Sequence, residues 1–87
     1  MRSKIITGNF SRRLGRFLAQ HPEFEEKVTT VMVNIVEGTN ASQRSHALHG
    51  KLAGLYAVRI SQSYRIVFAL EPDAIVFIDI GSHDEVY

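Results

Sequence analysis

The sequence contains no cysteine. Disulfides therefore cannot reinforce the core, and thiolate metal sites and cysteine nucleophiles are excluded. No apolar run approaches the length of a membrane span, and the opening MRSKIITGNF lacks the apolar stretch of a secretory signal. The expectation is a cytoplasmic protein with no membrane partner. A phosphate-cradling glycine loop is missing too, since GLYAV and IGSHD lack the required spacing, so nucleotide hydrolysis and hydride transfer have no support. Ser45, Ser61, Ser63 and Ser82 stand outside any nucleophile-elbow pattern. Repeats, low-complexity tracts and linkers are absent, so residues 1–87 read as a single domain. Finally, a large charge of one sign is missing. The formal net charge is +1, so any binding of nucleic acid must come from a local patch.

What is present is enough for one small core. Apolar residues make up 45% of the 87 positions, which places the chain among globular rather than disordered sequences. The stretch KIIT has the β-branched character of a short first strand. NFSRRLGRFLAQH then spaces Phe10, Leu14, Phe17 and Leu18 as one helical stripe, with Asn9 or Ser11 as the expected cap. His21-Pro22 interrupts the chain and restarts it, because proline suits a first helical turn. The second helix carries Phe24, Val28, Val31, Met32 and Ile35 on one face, and its first-turn glutamates complement the helix dipole. Gly38 is the expected stop, and GTNASQRSHALHGKLAG reads as a loop. Three strand-like runs follow, LYAVRIS, SYRIVFAL and AIVFIDI, joined by hairpin-length breaks. The predicted fold is α+β in the order β-α-α-β-β-β, a small antiparallel-rich sheet with a helical hairpin on one face.

Register can be read from alternation. Pairing Ile60 with Tyr64 and Val58 with Ile66 keeps the apolar side chains together and leaves Ser61 to Ser63 as the loop. That pairing sets Arg59 opposite Arg65 on the other face, a like-charge contact costing a few tenths to about 1 kcal/mol. In the last strand, Val76, Ile78 and Ile80 are expected to continue the core face. Asp79 would then lie near Arg65, with His83 aimed the same way beyond Gly81. Paired arginines beside a histidine form an anion site that can also move a proton.

His46 and His49 lie three apart in SHALHGKL and could meet His83 and Asp84 at a metal, but no spacing is diagnostic, so no metal or other cofactor is expected. Histidine and arginine side chains suit cleavage of an RNA phosphodiester. The 2′-OH must lose a proton, the 5′-oxygen must gain one, and the phosphorane carries extra negative charge.

HALHGKLAGLYAVRISQSYRIVFAL followed by IDIGSHDEVY resembles the RelE/ParE superfamily of bacterial type II toxins, nearest to the RelE and YafQ-type messenger-RNA interferases. The resemblance implies a RelE-like fold and a ribosome-dependent endoribonuclease that cuts mRNA in the ribosomal A site. It implies a cognate antitoxin as partner, with operator DNA reached only through that antitoxin. By resemblance, His83 and His46 match catalytic histidines, and Arg59 and Arg65 match arginines that grip the scissile phosphate. Tyr87 matches a terminal aromatic that stacks on a base or assists catalysis. His49 and Lys51 join the arginines as RNA contacts, and Asp79 and Asp84 are supporting groups. The sequence departs from YafQ-type enzymes where they carry a further histidine and an aspartate near the hairpin, since Arg59 and Ser63 occupy those places. The strongly basic surface of RelE is also reduced. Two other readings remain open on the same fold: a non-enzymatic ParE-like gyrase poison, and a catalytically decayed toxin that still binds antitoxin.

Overall fold

The computed structural model describes residues 3–37, 46–47 and 54–86, with the side chains of positions 46, 47, 83 and 85 outside that description. The predicted KIIT strand forms as β1 (Ser3–Ile6). Thr7, rather than Asn9 or Ser11, caps the following helix α1 (Gly8–Gln20). Its extended backbone lets Oγ1 accept from the Phe10 N–H at 3.1 Å. The same hydroxyl donates to the Phe77 carbonyl at 2.8 Å, so one side chain starts the helix and ties it to the sheet. Asn9 instead donates to the Ile78 carbonyl at 2.7 Å.

Pro22 opens a single 3-10 turn (Pro22–Phe24), and α2 (Glu25–Glu37) continues from it with Glu25 and Glu26 in its first turn. Four further strands complete the sheet: β2 (His46–Ala47), β3 (Leu55–Arg59), β4 (Tyr64–Leu70) and β5 (Ala74–Ser82). A last helix, α3 (His83–Val86), follows β5 without a break. The two-residue β2 lies within the segment expected to be wholly loop.

The sheet order is β1-β5-β4-β3-β2, with β1 parallel to β5 and the other pairs antiparallel. The predicted α+β class and the helical hairpin on one face are both observed. Val28, Val31 and Ile35 of α2 join Phe10 and Phe17 of α1 in one core with Val58, Ile60, Ile66 and Phe68. Phe10 and Phe77 are fully buried there with ring centroids 5.3 Å apart. Burying such a side chain is worth about 1.5–3 kcal/mol each.

The expected alternation in β5 is corrected. Ile75 and Phe77, not Val76 and Ile78, face the helices, whereas Ile80 does so as expected. The cause is a bulge: Val67 pairs with Asp79 but Phe68 pairs with Phe77, which leaves Ile78 as the extra residue. The inserted residue reverses which parity faces the core on either side of it. Ile78 therefore joins Ala57, Val67, Leu55 and Val86 in a second apolar cluster on the far face of the sheet. Among the described residues, no helix is long and apolar enough to cross a membrane.

Candidate functional site

The β3–β4 hairpin closes as its pattern predicts. Ile60 N–H donates to the Tyr64 carbonyl at 2.8 Å, and Ser63 N–H donates to Ser61 Oγ at 3.2 Å inside the loop. The ladder sets Val58 against Ile66 and Arg59 against Arg65. Both arginines thus occupy the face opposite the helices, next to the Ala57–Val67–Val86 cluster. Arg59 is exposed and has no ion-pair partner among the described residues. Arg65 is half-buried and pairs through its backbone with Gly81 of β5.

Two further backbone placements complete the constellation. His46 is the register partner of Ala57, in a row that continues to Val67 and Asp79. The row Arg59–Arg65–Gly81 is its neighbour, two residues along β3. His83 opens α3 two residues beyond Gly81. Val86, only 8% exposed, packs on Ala57 and Val67, so α3 is folded over the arginine-bearing face. The fold therefore brings positions 46, 59, 65 and 83 to one end of one sheet face. Asp84 is exposed on α3. His49, Lys51 and Tyr87 lie outside the described residues.

Asp79 is elsewhere. Its carboxylate accepts from Arg13 Nε at 3.0 Å and from the Ile80 N–H at 2.8 Å, and it makes no bridge to Arg65. The bulge at Ile78–Asp79 turns this side chain toward α1, which corrects the expected Asp79–Arg65 pair. Among the described residues, no three histidine, aspartate or glutamate side chains converge on a metal-sized site.

A second cluster escapes sequence reasoning. A cavity of about 280 Å³ lies between α1 and the end of β5, lined by Arg13, Arg16, Gln20, His21, Tyr64 and Ser82 among others. His21 Nε2 and Tyr64 Oη share a hydrogen bond of 3.2 Å, and Phe17 and Phe24 meet the Tyr64 ring edge to face and the His21 ring at a tilt. His21 Nδ1 also lies 3.7 Å from Glu23. The one signal in the sequence is the spacing of Arg13, Arg16 and Phe17, which puts three side chains on one helical edge.

By sequence, no protein-family profile and no curated protein matches the chain. Solved structures do match by shape. A copper-bound mutant toxin from Helicobacter pylori superposes with a TM-score of 0.87 at 18% identity, covering 100% of both chains. A chain of the E. coli DinJ-YafQ complex gives 0.84 at 17% identity, covering 100% of this chain and 99% of the other. The YoeB/ParE toxin from Agrobacterium tumefaciens gives 0.77 at 18% identity, over 93% and 98% of the respective chains. This polypeptide has the fold shared by the YafQ and YoeB toxins, as its resemblance to the RelE/ParE superfamily implied.

Proposed function

We propose that the protein is the toxin of a type II toxin–antitoxin system and that it cleaves mRNA on the ribosome. The observation that carries this reading is the ladder pair Arg59–Arg65 at the end of the sheet where His83 begins α3. Arginines at directly opposed ladder positions bring two cations to one stretch of the sheet face, and guanidinium groups match the oxygens of a phosphodiester well.

In this reading one histidine, His46 or His83, takes the proton from the ribose 2′-OH. The 2′-oxygen attacks phosphorus, and the other histidine protonates the departing 5′-oxygen. The products are a 2′,3′-cyclic phosphate and a 5′-hydroxyl. Arg59 and Arg65 stabilise the phosphorane, so the chemistry is metal-independent. Tyr87, His49 and Lys51 are proposed RNA contacts, and Asp84 a support for histidine. Asp79 is not assigned to the reaction, because Arg13 holds its carboxylate on the helix side. The DinJ-YafQ complex supports a cognate antitoxin as the protein partner. Operator DNA would be reached only through that antitoxin, and the ribosome and its message are the remaining partners.

The test is cleavage of ribosome-bound message in a purified translation system, comparing wild type with His83→Ala. Codon-positioned cuts ending in 2′,3′-cyclic phosphate, reduced about 10²–10⁴-fold in the variant, are expected. Unchanged cleavage by His83→Ala would remove His83 from the chemistry. Intact message together with gyrase-dependent DNA breaks would replace the nuclease reading with that of a gyrase poison. Intact message without DNA breaks, from folded protein, would identify a decayed toxin.

A further inference from the structure

The cavity between α1 and the end of β5 has no part in the proton transfers or the arginine pair of the proposed reaction. We propose that this cavity binds a second phosphate of the substrate RNA, next to the one being cleaved, so that the strand rounds the Gly81–Ser82 end of β5 and is gripped on both faces of the sheet. This inference rests on the RNA-cleaving reading above.

Charge is the first reason. Arg16 has no ion-pair partner among the described residues and stands at the cavity wall. Arg13 is anchored through Nε to Asp79 at 3.0 Å, which fixes the plane of its guanidinium. Gln20 adds an amide donor beside them. Asp79 already meets the charge of Arg13, so Arg16 is the cation that meets a phosphate oxygen here, with Gln20 as a neutral donor beside it.

Shape is the second reason. At about 280 Å³ the cavity is at the small end of sites that enclose whole ligands, and it suits a phosphate with its attached sugar. Phe17, His21 and Tyr64 form an aromatic wall, with the Phe17 and Tyr64 rings at 5.0 Å edge to face. A ribose or base can lie against that wall while the phosphate meets Arg16.

Continuity decides between an RNA and an acidic peptide. Gly81 lines the cavity and is also the register partner of Arg65, so only the backbone of one strand separates the two anion sites. A nucleic acid carries a charge at every residue and can fill both sites in any register. A peptide would need carboxylates spaced to suit this one crossing.

The experiment uses the full chain and a short mixed-sequence RNA with 2′-O-methyl riboses, which cannot undergo 2′-OH attack. Affinity and its salt dependence are measured for wild type, Arg16→Ala, Arg16→Lys and Arg59→Ala, and amide resonances are followed by NMR. Arg16→Ala is expected to weaken binding about tenfold and to lower the salt slope by roughly 0.7, the value for one lost single-strand phosphate contact. Arg16→Lys should recover the slope, and the RNA should shift the Gln20, His21 and Gly81 amides. Arg16 is exposed, so its replacement does not threaten the fold. RNA binding that depends on Arg59 but is unchanged in Arg16→Ala would overturn this inference and leave the RNA-cleaving reading intact. No RNA binding by wild type would overturn the inference, while cleavage on the ribosome separately decides the underlying reading. Shifts at the cavity amides with a polyglutamate peptide, but not with RNA, would assign the cavity to an acidic protein partner instead.

Discussion

At the scale of single residues, alternation carries most of the information where one face is polar. Arg59 and Arg65 interrupt apolar neighbours on both sides, so their register is readable, and the ladder pairs them. Asp79 defeats the same reasoning because β5 is apolar at nearly every position, as expected of a central strand buried on both faces. Such a run has no parity to read, and nothing in it marks Ile78 as the bulged residue. Thr7 is hard to foresee as a cap because Asn9 and Ser11 have equal or better intrinsic preference. Tertiary structure chooses among them, since Thr7 alone both caps α1 and bonds to the Phe77 carbonyl. Thr7→Ala loses both bonds and should cost about 1–2 kcal/mol. Thr7→Ser keeps the hydroxyl and should stay within about 0.5 kcal/mol of wild type. Urea unfolding checks this: the alanine variant should lower the midpoint with no change in slope. Equal midpoints for the two variants would mean that the hydroxyl does not hold the helix to the sheet.

At the scale of elements, length governs what is legible. The two 13-residue helices announce themselves through their apolar stripes. β2 has two residues and α3 has four, too few to show any period. Yet α3 sets the geometry of the candidate site, because it carries position 83 over the arginine-bearing face. Its anchor is Val86 on Ala57 and Val67. Val86→Ala removes two methyl groups from this contact and should cost about 1–2 kcal/mol. Its effect on cleavage should be larger than that loss of folded protein explains, since a loosened α3 no longer holds His83 in place. Thermal melts and single-turnover cleavage of ribosome-bound message, measured on the same preparation, separate the two effects. Cleavage that falls only in step with the unfolded fraction would reduce Val86 to a packing residue.

At the scale of the whole molecule, the decisive quantity is how little net charge there is. A formal charge of +1 gives almost no long-range attraction for RNA. If the protein grips RNA as proposed, the affinity must come from a few local contacts: one phosphate at Arg59 and Arg65, a second at Arg16 and a third at Lys51, with His49 and Tyr87 beside them. With about three phosphates neutralised, the salt slope on single-stranded RNA should be only about −2. Contacts this few leave free RNA bound at the weak end of the non-specific range, near 10⁻⁴ M at physiological salt. On the proposed reading the ribosome changes the arithmetic, because it would present the message at a fixed place and add its own phosphates to the docking surface. Cleavage of free RNA should therefore be at least about 100-fold slower than cleavage of the same message on ribosomes, which corresponds to about 2.7 kcal/mol of positioning. Raising salt from about 50 to 200 mM should depress the free reaction roughly 20-fold if substrate is below saturation. The measurement is the initial rate on one message, with and without ribosomes, at both salt concentrations. Equal rates at low salt would show that this chain binds RNA far more strongly than its charge allows, through contacts beyond those proposed.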